Sequence, residues 1–232
     1  MFERYSLAAS SVEVSERFSV EVPKHYKQAY NAGPSQLLPV ITHQTPEGLS
    51  FFYWGLAPNW AKNKTISEKL INTKGESIAE KSALKKKLSQ YRCLIPADGF
   101  FAWKKVGKKT SIPYRFFLKS KSLFSLGGLW EEYEDENEDT HHTFSIITVK
   151  SNSLVAPVSE RMPLMLDKAT EAIWLNKNSV DTDLVPLLKS SDESKMDCYT
   201  VSPRIGSLSN NSATLLLPTA PSDQFGNLTL FD

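Results

Sequence analysis

Short apolar runs separated by turn-forming residues recur along the chain, and they predict more strands than helices. Residues 37–42 and 49–54 are rich in β-branched and aromatic side chains, and the Pro-Glu-Gly turn at residues 46–48 indicates a hairpin between them. Residues 77–90 instead place apolar side chains at mostly helical spacing, with lysines on the outer face. This segment is predicted to be one amphipathic helix.

The most apolar stretch lies at residues 91–105 and reads YRCLIPADGFFAWKK. An aliphatic run reaches Pro96, Asp98 and Gly99 form a turn, and an aromatic run follows. Burial of this surface at about 25 cal/mol per Å² would place the segment at the centre of the core. The pattern predicts a strand, a turn and a second strand, and its simplest interpretation is a core hairpin.

The rest of the chain adds strands and short helices. Residues 12–22 have no clear period and are interpreted as a loop with a weak helix, and Asp167 is expected to cap a helix that runs to Leu175. The remaining predictions are strands at residues 114–118, 123–132, 144–149 and 162–166 and a helix at residues 180–188. Together they predict the α+β class, with a strongly curved mixed sheet or open barrel and flanking helices.

Composition supports one domain. The chain has 232 residues, 41% of them hydrophobic, and no Gly/Ser/Pro-rich linker before residue 218, so we expect a single domain over residues 1–217 and a flexible tail over residues 218–232. Cys93 and Cys198 have no metal-ligand spacing and are expected to be reduced thiols. With no signal or membrane segment recognised, a soluble, cytoplasmic monomer is predicted.

The charge pattern leaves two interpretations open. A net charge of +1 does not indicate a nucleic-acid-binding protein, but lysines cluster at residues 85–87 and 104–109 and acidic residues at 131–139. These clusters either create one positive face or are separate solvated surfaces. His141 and His142 beside acidic residues are interpreted as a solvated hairpin tip, so neither a metal site nor a cofactor is predicted.

Several motifs occur in the order found in a known family. Residues 91–105 resemble the RCLIPADGFYEW signature of the SOS response-associated peptidase (SRAP) family. Residues 30–36 with 38–41 are similar to its YNIAPTQ and LPVI segment, and residues 54–60 to its WGLIPSW. Residues 71–77, 128–131 and 161–163 resemble its INARAET, GLWE and RMP blocks.

The resemblance implies a particular chemistry. Members of the family are understood to bind single-stranded DNA that carries an abasic site, whose open-chain sugar presents an aldehyde. A cysteine at position 2, exposed by removal of the initiator Met, offers an amine and a thiol that close a thiazolidine ring on that aldehyde. An Asn positions the reacting atoms, a Glu manages protons, and a His assists.

This chain departs from the family pattern at three of these positions. Phe2 stands where the cysteine belongs, Ala102 at the glutamate position and Ser159 at the histidine position, whereas Asn72 is retained. A bulky Phe2 should also hinder removal of Met1. We therefore predict a protein that keeps DNA binding without thiazolidine formation.

The resemblance also suggests which residues contact DNA. Basic residues would hold phosphates, and the tryptophans would either flank bases or pack in the core, with core packing the simpler interpretation for Trp103. Lys74 replaces an arginine of the family pattern, which weakens any bidentate contact. The predicted DNA-binding set is Arg4, Asn31, Pro34, Trp54, Trp60, Lys74 and Arg161.

Three alternatives remain open at this stage. The α-amino group of a retained Met1 could form an imine with the abasic aldehyde and give residual crosslinking or lyase activity. A peptide-binding scaffold without DNA binding is another possibility. The C-terminal tail resembles peptides that insert into bacterial sliding clamps through Leu228, Leu230 and Phe231, and the simpler interpretation is that it folds back on its own core.

Overall fold

The computed structural model describes residues 2–55, 70–134 and 139–228. Within these residues no helix is long and apolar enough to cross a membrane. The α-helices are α1 Ser11–Phe18, α2 Gly75–Glu80, α3 Ser82–Gln90, α4 Lys168–Leu175 and α5 Asp181–Leu184. The strands are β1 Tyr5–Leu7, β2 Ala29–Ala32, β3 Leu37–Thr42, β4 Ser50–Trp54, β5 Asn72–Lys74, β6 Arg92–Ala97, β7 Gly99–Lys105, β8 Ser111–Leu118, β9 Phe124–Glu134, β10 Thr140–Lys150, β11 Arg161–Pro163, β12 Met165–Leu166 and β13 Met196–Thr200.

The larger sheet closes on itself. Strand β10 pairs with both β4 and β9, and the pairs β4–β3, β3–β6 and β6–β9 complete the ring. Strands β5 and β11 add to β10, and β12 adds to β9. The pairings of β10 with β4 and β5 are parallel and the others antiparallel. The predicted α+β class and mixed sheet are confirmed, and the barrel is closed rather than open.

A second, antiparallel sheet packs beside the barrel in the order β13–β8–β7–β1–β2. The large aromatic side chains Tyr5, Trp54, Phe100, Phe116 and Phe144 are fully buried in one continuous core. Because β1 pairs with β7, the start of the chain lies against its most apolar segment. This pairing brings residue 2 into the interior.

The core-hairpin interpretation of residues 91–105 was wrong. Strand β6 belongs to the barrel and β7 to the second sheet, so the two strands do not pair with each other. Asp98, between them, accepts hydrogen bonds from the hydroxyl of Ser6, the backbone N–H of Ala8 and Nη2 of Arg115. These three bonds fix the point at which the chain leaves one sheet for the other.

Two helical predictions also needed correction. The segment 77–90 lies in two helices, because Lys81 has an extended backbone (φ −104°, ψ 120°) that separates α2 from α3. Residues 12–22 contain a defined helix, α1, whose start is fixed by reciprocal hydrogen bonds between Ser10 and Glu13. The Asp167 cap is confirmed, with Thr170 N–H donating to its carboxylate at 3.0 Å.

The two glycines at residues 127–128 do not break strand β9. A Cβ on Gly127 would lie 2.7 Å from Leu164 Cδ2, and one on Gly128 would lie 2.5 Å from Ile95 Cδ1. A Cβ on Gly128 would also lie 2.9 Å from the backbone oxygen of Ser145, so close packing requires glycine there, whereas a side chain at Gly127 would displace the end of the Leu164 side chain. Strand β9 continues through them to Glu134.

The described part of the C-terminal segment, residues 218–228, makes contacts with the second sheet. Thr219 N–H donates to Thr200 O at 2.9 Å, and Ser111 N–H donates to Gln224 Oε1 at 2.9 Å. Phe225 and Leu228 are nevertheless 71% and 70% exposed. The domain boundary at residue 217 and the flexibility of the tail stay predictions, and Leu230 and Phe231 lie outside the described residues.

Candidate functional site

An open hollow of about 650 Å³ lies where β5, the end of β7, β11 and the loop before β11 meet. Five residues singled out from the sequence line it together, namely Phe2, Asn72, Lys74, Ser159 and Arg161. Its walls also include Trp103, Lys105 and Glu160. Residues far apart in the chain therefore form one candidate site.

Phe2 forms an apolar part of the hollow. Its side chain is only 5% exposed, and its ring centroid lies 5.7 Å from that of Trp54 and 5.9 Å from that of Phe100. Its backbone carbonyl accepts a hydrogen bond from Nδ2 of Asn72. The second residue of the chain is thus fixed in the interior by aromatic packing and by one amide.

The side-chain oxygen of Asn72 is the atom of interest at this position. It lies on β5 opposite Ile146, in parallel register with β10. Its Nδ2 donates to Phe2, but its Oδ1 is buried and has no hydrogen-bond partner within the described part of the chain. A buried acceptor without a partner costs roughly 1–3 kcal/mol, so a ligand that donates to this atom would be stabilised.

Arg161 is tied to neighbouring residues. Its Nη1 and Nη2 donate to the two carboxylate oxygens of Glu76 at 3.2 and 2.8 Å, and its Nε donates to Thr148 Oγ1 at 3.1 Å. The hydrogen bond from Arg161 holds the pKa of the Glu76 carboxyl below its usual value. The cation of Arg161 is thus largely neutralised where it borders the hollow.

Unlike Arg161, Lys74 and Lys105 are not tied to neighbouring side chains of the described residues. Both side chains are exposed at the hollow, and neither makes an ion pair or hydrogen bond with the rest of the described chain. Lys74 is two residues beyond Asn72 on β5, so both side chains leave the same face of that strand. The hollow therefore offers two unpaired ammonium groups beside an amide.

Two of the substituted catalytic positions bring no acid–base group. Ala102 is buried in the core and is not among the described residues that line the hollow. Ser159 lines the hollow, and its hydroxyl donates to Arg161 O at 2.8 Å. Over the described ranges, no group of three or more His, Cys, Asp or Glu residues is arranged to hold a metal ion.

Three residues of the predicted DNA-binding set lie buried elsewhere. Arg4 donates to Glu3 O at 2.7 Å, and burial lowers the pKa of its guanidinium. Asn31 Nδ2 donates to three backbone carbonyls of the loop at residues 205–210. Trp54 is fully buried and donates from Nε1 to Ile71 O at 2.8 Å. In this conformation the Asn31 and Trp54 side chains hold the fold together and present no surface to a ligand.

Neither of the other two members of that set adds to the described lining of the hollow. Pro34 is half-buried and does not line it, and Trp60 lies outside the described residues. Conversely, Trp103 and Lys105 border the hollow although sequence reasoning assigned Trp103 to the core. The alternation of side chains along β7 was the available signal, because it puts these two residues on one face.

The closed mixed barrel and the antiparallel sheet beside it form a fold that solved proteins share. A solved protein from Bacteroides thetaiotaomicron has the same fold, with a TM-score of 0.80, 26% sequence identity and coverage of 93% of this chain and 99% of that one. A Bordetella bronchiseptica protein shares the fold at a TM-score of 0.68 and 18% identity, covering 86% of this chain and 99% of the other.

Sequence comparison identifies the family. The family model described as SOS response associated peptidase (SRAP) matches residues 1–208, and the chain belongs to this family. Abasic site processing protein YoqW of Bacillus subtilis is 38% identical over 221 residues, covering 93% of this chain and 99% of the relative. Abasic site processing protein HMCES of Rattus norvegicus is 27% identical, covering 84% and 66%.

Proposed function

We propose that this protein binds single-stranded DNA, including DNA with an abasic site, in the hollow beside Phe2, and that it does so without forming a thiazolidine. The observation that carries the proposal is the convergence of Phe2, Asn72, Lys74 and Arg161 at one hollow. The names of the relatives, which are abasic site processing proteins, support the same class of ligand.

The charge of the hollow favours a polyanion. Its lining carries Lys74 and Lys105, which have no ion pair within the described residues, against Glu160. The charge of Arg161 is balanced by Glu76, so positive groups remain in excess. Trp103 at the same hollow provides an aromatic surface on which a base of a single strand can stack, at about 1–3 kcal/mol per base. This excess of cations argues against the alternative of a peptide-binding scaffold with a neutral or negative groove.

The absence of thiazolidine chemistry follows from the side chains at the three substituted positions. Phe2 has no thiol, and its ring fills the space between Trp54 and Phe100. Ala102 supplies no carboxylate, and the hydroxyl of Ser159 is engaged with a backbone carbonyl. A ring closure that needs a thiol and proton transfer has neither at these positions.

Fluorescence anisotropy with a labelled single-stranded oligonucleotide, with and without one abasic site, tests the binding. We expect binding that weakens with salt, and Lys74→Gln and Lys105→Gln should each reduce the slope of log affinity against log salt by about 0.7. Lys24→Gln is the matched control, because Lys24 is exposed but does not line the hollow. Undetectable binding at low salt, or equal slopes for all three variants, would contradict the proposal.

A second candidate is imine formation through the α-amino group of a retained Met1. The hydrogen bond from Asn72 to Phe2 O favours it, because this bond holds the start of the chain at the hollow. Borohydride trapping with abasic-site DNA tests it: a denaturation-resistant adduct that maps to residue 1 supports it. An adduct that persists after acetylation of the α-amine would exclude it.

The C-terminal segment supports a separate partner proposal. Exposed Phe225 and Leu228 lead towards Leu230 and Phe231, which suits insertion into the hydrophobic cleft of a sliding clamp. Removal of residues 224–232 should abolish binding to purified clamp and leave DNA affinity unchanged. Loss of stability on truncation without any clamp affinity in the full chain would contradict this proposal.

A further inference from the structure

The described lining of the hollow contains primary amines but no thiol. Lys74 ends strand β5, exposed and without an ion pair within the described ranges, whereas Arg161 on β11 is held by Glu76. A lysine amine is a nucleophile towards carbonyl carbons, and a guanidinium is not. The residue that replaces an arginine of the family motif is therefore chemically competent where an arginine would not be.

The register of β5 places Lys74 close to the groups that would hold the substrate. Lys74 lies opposite Thr148 on β10, and Thr148 accepts hydrogen bonds from Arg161 through both its hydroxyl and its carbonyl. Asn72, with its unpartnered Oδ1, precedes Lys74 by two residues on the same strand face. An amine, an amide acceptor and a guanidinium thus border one hollow.

We propose that the ε-amine of Lys74 forms an imine with the aldehyde of an open-chain abasic sugar bound in this hollow. This inference rests on the proposed function, because the DNA must first bind there. The lone pair of neutral Nζ attacks the aldehyde carbon, and one amine proton passes to the carbonyl oxygen to give a carbinolamine. The new hydroxyl then leaves together with the second amine proton as one water, and the C=N bond forms. No oxidation or reduction occurs, and hydrolysis reverses the reaction.

Lys74 is better placed than Lys105 to reach the aldehyde of the bound sugar. Lys105 lies at the end of β7, opposite Ser111, and borders the hollow from the side of Trp103. Lys74 instead shares a strand face with Asn72, whose side chain reaches Phe2 at the inner part of the hollow. A sugar held at Asn72 Oδ1 therefore approaches Lys74 first.

Trapping on the full chain tests the assignment. The protein is incubated at mildly alkaline pH with a single-stranded oligonucleotide that carries one abasic site, in the presence of cyanoborohydride, which reduces an imine to a stable secondary amine. We expect a denaturation-resistant adduct whose DNA remnant maps to Lys74 by peptide mass spectrometry. Lys74→Arg should lower the yield by about tenfold or more, because it retains the charge but removes the nucleophile.

Lys24→Arg, at an exposed lysine that does not line the hollow, is the matched control and should leave the yield unchanged within about twofold. Affinity is measured in parallel with a tetrahydrofuran abasic analogue, which has no aldehyde, so binding and chemistry are separated. An undiminished adduct in Lys74→Arg, an adduct that maps to residue 1 or Lys105, or normal binding with no adduct would each overturn the assignment to Lys74. Absence of salt-sensitive binding to the analogue would instead contradict the proposed function.

Discussion

The ion pair between Glu76 and Arg161 should compete with DNA for the guanidinium. Arg161 donates to both oxygens of the Glu76 carboxylate, and their side chains are 25% and 44% exposed. A phosphate can use this guanidinium fully only if Glu76 moves away. Replacement by glutamine, Glu76→Gln, removes the competing charge, while Thr148 still holds the Arg161 side chain.

The expected gain in DNA affinity follows from the solvent exposure of the Glu76–Arg161 ion pair. Partly exposed ion pairs are worth about 0.2–1 kcal/mol, and the bidentate geometry places this one in the upper half of that range. Release of about 0.5–1 kcal/mol corresponds to about a two- to fivefold gain in affinity for single-stranded DNA. The same change should lower the free energy of unfolding by a similar amount at neutral pH.

Fluorescence anisotropy at two salt concentrations measures the gain, with Glu80→Gln as control. Glu80 is an exposed residue on the same helix, so its replacement changes the net charge equally without releasing Arg161. If Glu76→Gln binds no more tightly than Glu80→Gln, Arg161 does not contact the DNA or Glu76 does not compete for it.

Acid titration provides a second check on this pair. Because the pKa of Glu76 is lower in the folded protein than in the unfolded chain, its stabilisation is present above the unfolded pKa and is lost as pH falls through the folded pKa. The difference in unfolding free energy between the unsubstituted protein and Glu76→Gln should therefore begin to shrink as pH falls below the ordinary glutamate pKa of about 4.3, and it should vanish at lower pH, once Glu76 is protonated in the folded protein as well. A difference that persists in more acidic solution would contradict the ion-pair explanation.

Three further changes test the fold around the site. Phe2→Ala leaves a cavity between Trp54 and Phe100 and should cost about 3–5 kcal/mol of unfolding free energy by urea denaturation; a cost under about 1 kcal/mol would show that Phe2 is not a core residue. Trp54→Phe removes the bond to Ile71 O and should cost about 1–2 kcal/mol, and no loss would contradict that bond. Arg92→Met leaves the carbonyls at the ends of α3 and α4 without their hydrogen-bond donor and should cost about 3–5 kcal/mol of unfolding free energy, measured by thermal unfolding. Arg204→Met, at an exposed arginine, is the control and should change stability little. Equal effects of the two substitutions would contradict the structural role of Arg92.

Local pattern predicted many elements correctly but not their partners. The hairpin of β3 and β4, the Asp167 cap and the strand character of residues 92–105 could be predicted, because turn residues, capping residues and alternation act over a few positions. The separation of β6 and β7 into two sheets could not. It depends on Ser6, Ala8 and Arg115, which reach Asp98 from elsewhere in the chain.

The same limit applies to the candidate site. The family motifs singled out Phe2, Asn72 and Arg161, and all three line one hollow in the structure. Membership of a motif does not, however, distinguish a residue that contacts a ligand from one that stabilises the fold. Asn31 and Trp54 belong to motifs of the same family and hold backbone carbonyls in the interior instead. Burial decides between the two roles, and it is set by packing partners that a linear motif does not contain.

The pairing of β1 with β7 has a consequence for synthesis on the ribosome. Ala8 reaches its acceptor, Asp98, across 90 residues of chain. At elongation rates of roughly 5–20 residues per second, the first strand waits about 5–20 s before its neighbour is made. Until then the apolar side chains near the start of the nascent chain have no native surface to cover them, and a chaperone that binds this segment would act in that interval.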